Sequence, residues 1–289
     1  MIEGRSGRRA ALALGAAWLA ALALGCQATR DPDQPPLRTH EYLHSVHWIQ
    51  TSAEYRATAT QTFRLAALRL DQALADPEWT ACLEQDGDFE SLPPAIALDV
   101  DETILDNSPF NARLVKSGTG FEPDLWEAWV RDANAKAVPG SVAFTQRAAE
   151  LGVQIYYLTN RNADVEPFTQ KNLADLGFPV DADGGNILSK NERPEWVWDK
   201  GSRRRFIARK HRIALLVGDD LNDFMSGSQV EPQERVELAQ EMEAHWGMDW
   251  ILLPNPLYGG WQGALRDYED DLPRGEVIRR VYKALDIFE

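Results

Sequence analysis

Apolar positions recur at intervals of three and four from about Thr39 to Ala75, as Val46, Ile49 and Tyr55 and then Phe63, Ala66, Leu70 and Leu74, which predicts helices. Further on the pattern changes. Short apolar runs, "AIALDV" at 95–100, "VQIYYLT" at 153–159, "IALLVG" at 213–218 and "DWILLP" at 249–254, alternate with helix-length segments. Strands separated by helices imply parallel crossovers, so the chain is expected to form a doubly wound parallel α/β sheet. Residues 38–92 would make an N-terminal helical lobe and 93–289 the α/β core, with a small cap segment inserted at about 107–137.

In such sheets ligands bind at the carboxyl ends of the strands. Three of the runs end there in polar residues: Asp99 and Asp101, then Thr159 and Asn160, then Asp219, Asp220 and Asp223. Asp is a common turn residue, so each group alone says little. Asp99 and Asp101, however, stand two apart at a strand end and share a face. Like charges held that close repel unless a cation lies between them or one carboxyl keeps its proton. Either condition describes an active site.

The first 25 residues have a different character. Arg5, Arg8 and Arg9 precede an unbroken small and apolar stretch, Ala10 to Gly25, that stops at Cys26. This is a secretory signal pattern, too short to span a membrane as a helix. Cys26 sits where a bacterial lipoprotein is cleaved and acylated, which would place the protein on the outer membrane or facing the periplasm. The alternative is a disulfide to Cys82, the only other cysteine. Residues 26–37, rich in proline and polar side chains, read as a tether. A net charge of −15 repels a polymer of phosphates, so a nucleic-acid partner is not expected. A small anion would need a local cluster of positive groups.

"IALDVDETILDN", "AVPGS", "YYLTNR", "VGDDLNDF" and "LPNPLYGGW", in that order between about residues 45 and 265, resemble the class C acid phosphatases, the bacterial outer-membrane lipoprotein nucleotidase type of the haloacid dehalogenase superfamily. The chemistry fits a phosphate monoester. Asp99 would attack phosphorus to form an aspartyl phosphate, and Asp101 would protonate the departing alkoxide and later take a proton from water. A dehalogenase has no need of the second carboxyl. The resemblance implies Mg2+ held by the Asp99 carboxylate, the Asp101 carbonyl and the Asp219 carboxylate. Asp223, one turn past Asp219, would assist at the metal, and Asp220 would cap a helix.

The Thr159 hydroxyl and the amides around Asn160 would meet phosphate oxygens. The family supplies a lysine from a helix start; here "DKGSRRRF" offers Arg203 by spacing, with Lys200 one turn earlier as the alternative. The resemblance also implies that Tyr258, in the loop after the last strand, and Trp126, in "FEPDLWEAWV", sandwich an aromatic leaving group such as a nucleoside. Trp129 is expected to pack instead.

Two rivals remain. "HEYLH" at 40–44 matches the zinc-peptidase pattern H-E-x-x-H, with His40, Glu41 and His44 as its parts and His47 nearby. A surface helix carrying these histidines is the plainer reading. The other rival is a ligand-binding lipoprotein without catalysis on the same fold.

Overall fold

The computed structural model describes residues 40–288. The expected signal segment 1–25, the tether 26–37 and Cys26 lie outside the described residues. Among the described residues no helix is long and apolar enough to cross a membrane.

The central sheet is parallel throughout. Strands β1 (Pro94–Asp99), β4 (Gln154–Asn162), β5 (Ile187–Lys190), β6 (Arg212–Gly218) and β7 (Trp250–Leu252) run in the order β5-β4-β1-β6-β7. The two short strands β2 (Leu105–Asp106) and β3 (Lys136–Ala137) pair antiparallel beside it. Between β2 and β3 lie helices α3 (Ser108–Ser117) and α4 (Pro123–Asp132), so the expected cap segment is a helical pair on a two-strand stem. Edge strand β5, with the run "ILSK", was too short and mixed to be predicted from pattern.

The strands read as continuous apolar runs because both faces are covered. Alternate residues serve opposite layers. Ile96, Leu98 and Val100 of the first run meet Ile155, Tyr157, Leu215, Val217 and Ile251 on one face. Ala95 and Ala97 join Tyr156, Leu158, Ile213, Leu216 and Trp250 on the other. The register sets the three polar ends level, since Leu98 pairs with Val217 of β6 while Asp99 pairs with Leu158 of β4.

Helix α1 (Leu43–Thr51) stops at Ser52, whose side chain caps α2 (Ala53–Ala75) by accepting from the Tyr55 amide at 3.0 Å. The stripe Ala59, Phe63, Ala66, Leu70 and Ala73 on α2 is buried in the same core as the sheet. Burying Phe63 and Leu70 contributes roughly 1.5–3 kcal/mol each. Gly140 lets the chain pass here, with φ +96° and no room for a side chain: a Cβ would lie 3.1 Å from that of Phe63. An N-terminal lobe ending at residue 92 is therefore corrected. Helix α2 is a layer of the α/β core, Thr39–Glu289 form one unit, and the link after α2 is tied to the sheet. The Trp79 indole donates to Ala214 O at 3.0 Å and Trp250 Nε1 to Ala81 O at 2.7 Å.

Cys82 lies in that link as a buried thiol with no disulfide among the described residues, 3.3 Å from Glu84 Oε2. Burial, reinforced by the Glu84 charge, pushes the thiol up to about 12. The thiolate is the reactive form. Iodoacetamide at pH 8 is therefore expected to leave Cys82 unmodified in the native protein and to modify it promptly in urea, as read by peptide mapping. Prompt native alkylation would contradict the buried environment.

Candidate active site

β1 delivers Asp99 at its carboxyl end, in the middle of the sheet, and a tight turn follows. Val100 O accepts from the amides of Ile104 (3.0 Å) and Leu105 (2.9 Å), which folds residues 100–105 back over the strand end. Glu102, at φ +62°, occupies the left-handed region at the tip of this turn.

Lys200 is the cation that reaches Asp99. It precedes helix α7 (Gly201–Ala208) as its N-cap, is 3% exposed, and donates both to Asp99 Oδ1 and, at 2.7 Å, to Asp223 Oδ1. Arg203 does not reach the site. Its guanidinium donates to Thr159 O (2.6 Å), Val197 O (2.8 Å) and Asn160 Oδ1 (2.7 Å), locking the loop before α7 to the end of β4. The preference for Arg203 over Lys200 is thereby reversed. Arg204 is equally buried and binds Glu84 and the carbonyls of Asn222 and Asp223, whereas Arg205 is exposed.

Past β6 the chain turns into the short helix α8 (Leu221–Phe224). Asp220 caps it, accepting from Asn222 N at 3.1 Å, and also accepts from Gly260 N at 2.6 Å. Asp223 folds back: its Oδ2 accepts from the amides of Asp219 (3.0 Å) and Asp220 (2.9 Å). Gly218 makes this possible, because a Cβ there would stand 2.3 Å from that oxygen. Asp219 is held from both sides, by Thr103 Oγ1 at 3.1 Å and Asn255 Nδ2 at 2.8 Å.

Asp99, Asp219 and Asp223 can bring one oxygen each within 4.8 Å of one another. Burial raises the Asp99 carboxyl to about 7 against the opposing pull of Lys200, and burial together with Asp99 and Asp223 raises Asp219 well above the carboxylate range. For Lys200 burial works downward, but Asp223 and Asp99 outweigh it and hold the ammonium protonated. One ammonium does not balance three acids, of which Asp99 and Asp223 are buried and Asp219 is partly so. The Asp99 Oδ2 atom is buried without a hydrogen-bond partner. An unpartnered oxygen within an all-carboxylate donor set fits a hard divalent cation such as Mg2+. Asp223 also braces the site, since its Oδ1 accepts from Lys200 and its Oδ2 from the amides of Asp219 and Asp220.

Asp101 points to the other side. Its Oδ2 lies 3.2 Å from Thr159 Oγ1, and its Oδ1 accepts from Asn107 Nδ2 at 2.9 Å and Arg161 Nε at 3.0 Å. The Asn160 side chain binds Trp198 O and Arg203, leaving only its main chain toward the strand ends. Trp126 on α4 is half-buried and packs edgewise on Phe110, ring centres 5.1 Å apart. Trp129 turns inward and donates to Asn107 Oδ1 at 2.8 Å. Tyr258 packs beside the cluster of Val46, Ile49, Tyr55 and Leu257, and its hydroxyl donates to Glu102 Oε1 at 3.2 Å. Burial, with Glu102 and the site aspartates around it, pushes that phenol well above its ordinary value.

Glu102, Thr103, Asn107, Arg161 and Asn255 all lie within quoted motifs without being singled out from sequence. Their shared signal is a polar residue beside a strand end, which the fold buries in every case but Asn255. Among the described residues the "HEYLH" stretch belongs to no metal-binding cluster. His40 is buried before α1 begins, with Nε2 2.9 Å from Thr119 O, and Glu41 is paired with Arg274. His44 and His47 are exposed.

A parallel α/β sheet with a D-x-D turn on its central strand, a lysine opposite and two aspartates beyond the neighbouring strand defines a member of the haloacid dehalogenase superfamily. Residues 10–261 match the family model described as HAD superfamily, subfamily IIIB (acid phosphatase), and the chain belongs to that family. Two solved structures of the class C acid phosphatase from Bacillus anthracis, one with tungstate bound, superpose with a TM-score of 0.76 at 35% identity. They cover 86% of this chain and 97% of that one. Curated relatives include the stem 28 kDa glycoprotein of Glycine max, 24% identical over 169 residues, and acid phosphatase 1 of Solanum lycopersicum, 31% identical over 80 residues. The first match covers 55% of this chain and 57% of the relative, the second 28% and 31%. The chain thus spans from about a third to little more than half of the length of the curated relatives it matches.

Proposed function

We propose that this chain is an exported, Mg2+-dependent phosphomonoesterase working through an aspartyl phosphate, with nucleoside monophosphates among its preferred substrates. The observation that carries the reading is Asp99, with one oxygen on Lys200, the other buried and unpartnered, and one of its oxygens within 4.8 Å of an oxygen from each of Asp219 and Asp223. Asp99 attacks phosphorus as the bond to the leaving oxygen breaks, and Asp101 gives that oxygen its proton. Water then attacks the phosphoryl group on Asp99, its proton goes to Asp101, and phosphate leaves. Lys200 meets phosphate oxygens and Thr159 offers its hydroxyl. Asp99, the Asp101 carbonyl and Asp219 would hold the metal, which when bound neutralises charge on the phosphoryl group. Tungstate is a tetrahedral oxyanion, so its presence in the Bacillus anthracis relative supports an oxyanion site in this one.

The aromatic preference rests on placement. Trp126 and Tyr258 are both half-buried, and each touches a residue bonded to or next to Asp101. Export and acylation at Cys26 rest on the leader alone.

The test is turnover of nucleoside, aryl and small alkyl phosphates with and without a chelator. Turnover that the chelator removes and Mg2+ restores is expected. Tyr258→Ala should raise KM for nucleoside monophosphates about tenfold while sparing a small alkyl phosphate. A purified protein that binds these esters without turning them over would favour the ligand-binding alternative.

A further inference from the structure

Arg161 is 2% exposed, lies two residues past the Thr159 hydroxyl on β4, and has no part in the chemistry above. Its guanidinium grips Asp101 with two nitrogens, Nε at 3.0 Å and Nη2 at 2.8 Å from Oδ1. The remaining contacts reach three other segments. Nη2 donates to Asn107 Oδ1 at 3.3 Å, Nη1 donates to Thr169 Oγ1 on helix α6 (Glu166–Leu176) at 3.2 Å, and the guanidinium carbon sits 5.7 Å from the centre of the Trp126 ring.

An aspartate beyond a strand end has two free torsions, and no apolar packing holds its carboxyl. Here Arg161 Nε reaches both carboxyl oxygens, at 3.0 and 3.3 Å, with Nη2 of the planar fork close to Oδ1, Asn107 Nδ2 shares Oδ1, and Thr159 takes Oδ2. A lysine at 161 could supply charge but not the fork. The Trp126 contact carries the same constraint into the cap helix α4, the element placed to meet a leaving group.

We propose that Arg161 is a positioning residue for the leaving-group step: it aims the Asp101 carboxyl at the oxygen that departs and ties that aim to the cap through Trp126. The inference rests on the phosphomonoesterase reading. Misplacement of a reacting group by an ångström costs about a hundredfold. That loss falls only where the departing oxygen needs Asp101's proton. A nitrophenolate leaves without it, whereas an alkoxide does not.

Single-turnover release of the alcohol reports this half of the reaction alone. For Arg161→Gln the rate constant on an alkyl phosphate should fall about a hundredfold. On nitrophenyl phosphate it should stay within about twofold of the parent, and the half-saturating concentration should hold for both esters. In an Asp101→Asn background the added Arg161→Gln should change the alkyl rate by no more than about twofold, since both substitutions remove one function. Arg161→Lys, which keeps charge and volume, should show the same ester dependence with a smaller loss, and it decides the matter if Arg161→Gln does not fold. Equal losses on both esters, additive losses in the double variant, or a rise in half-saturation alone would overturn the proposal. A parent enzyme that releases neither alcohol would overturn the phosphomonoesterase reading itself, and this inference with it.

Discussion

Asp99→Asn is expected to lower kcat by at least about 10⁴-fold on every phosphate ester, because the other groups cannot replace a nucleophile. The amide is nearly isosteric and can still accept from Lys200, so the folded population should be unchanged by circular dichroism. Asp101→Asn should keep the nucleophile and slow hydrolysis of the intermediate. Acid quenching of that variant during turnover should leave one phosphoryl group on the peptide containing Asp99, located by mass spectrometry. A phosphoryl group on another residue, or Asp99→Asn turnover above about a hundredth of the parent rate, would remove Asp99 from the role.

Lys200→Ala should lower kcat by about 10²–10³-fold, the usual effect of deleting one donor to developing charge. It should also destabilise the metal-free protein by about 3–5 kcal/mol, since Asp99 and Asp223 would be left buried without their cation. Mg2+ should restore much of this stability, because a divalent ion offsets the same carboxylates, and thermal melts with and without the metal would measure it. Arg203→Ala is the contrast: its guanidinium caps main-chain carbonyls, so the protein should lose stability that Mg2+ does not restore. If Arg203→Ala regains stability with Mg2+ and Lys200→Ala does not, the roles drawn from the geometry are interchanged.

The strands and their polar ends were legible because a sheet covered on both faces demands continuous apolar runs, and each run's end shows as a change of chemistry. Asp99, Asp101 and Asp219 were readable for that reason. Lys200 and Arg203 were not separable from spacing. The choice depends on where α7 starts: Lys200 is its N-cap and Arg203 its third residue, facing the loop carbonyls. Arg161 was hidden by its type, since a lone arginine after a strand is ordinarily solvated, and only the fold reveals that Asp101, Asn107, Thr169 and Trp126 surround it. The status of α2 was illegible for a different reason. Its period predicts a buried stripe but does not say against what, and the answer lies in strands far along the chain.

That separation bears on how the molecule comes to fold. Helix α2 leaves a ribosome or translocon carrying Phe63 and Leu70 on its surface, and β6 and β7, part of the core it packs in, emerge well over a hundred residues later. The central strand β1 also waits more than a hundred residues for β6 on one side. Contacts this distant in sequence slow folding and prolong the exposure of apolar surface. Synthesis from the N-terminus thus yields no half-finished phosphatase with a closed core, and a chain arrested before Arg212 would leave part of α2's stripe without the strands that cover it.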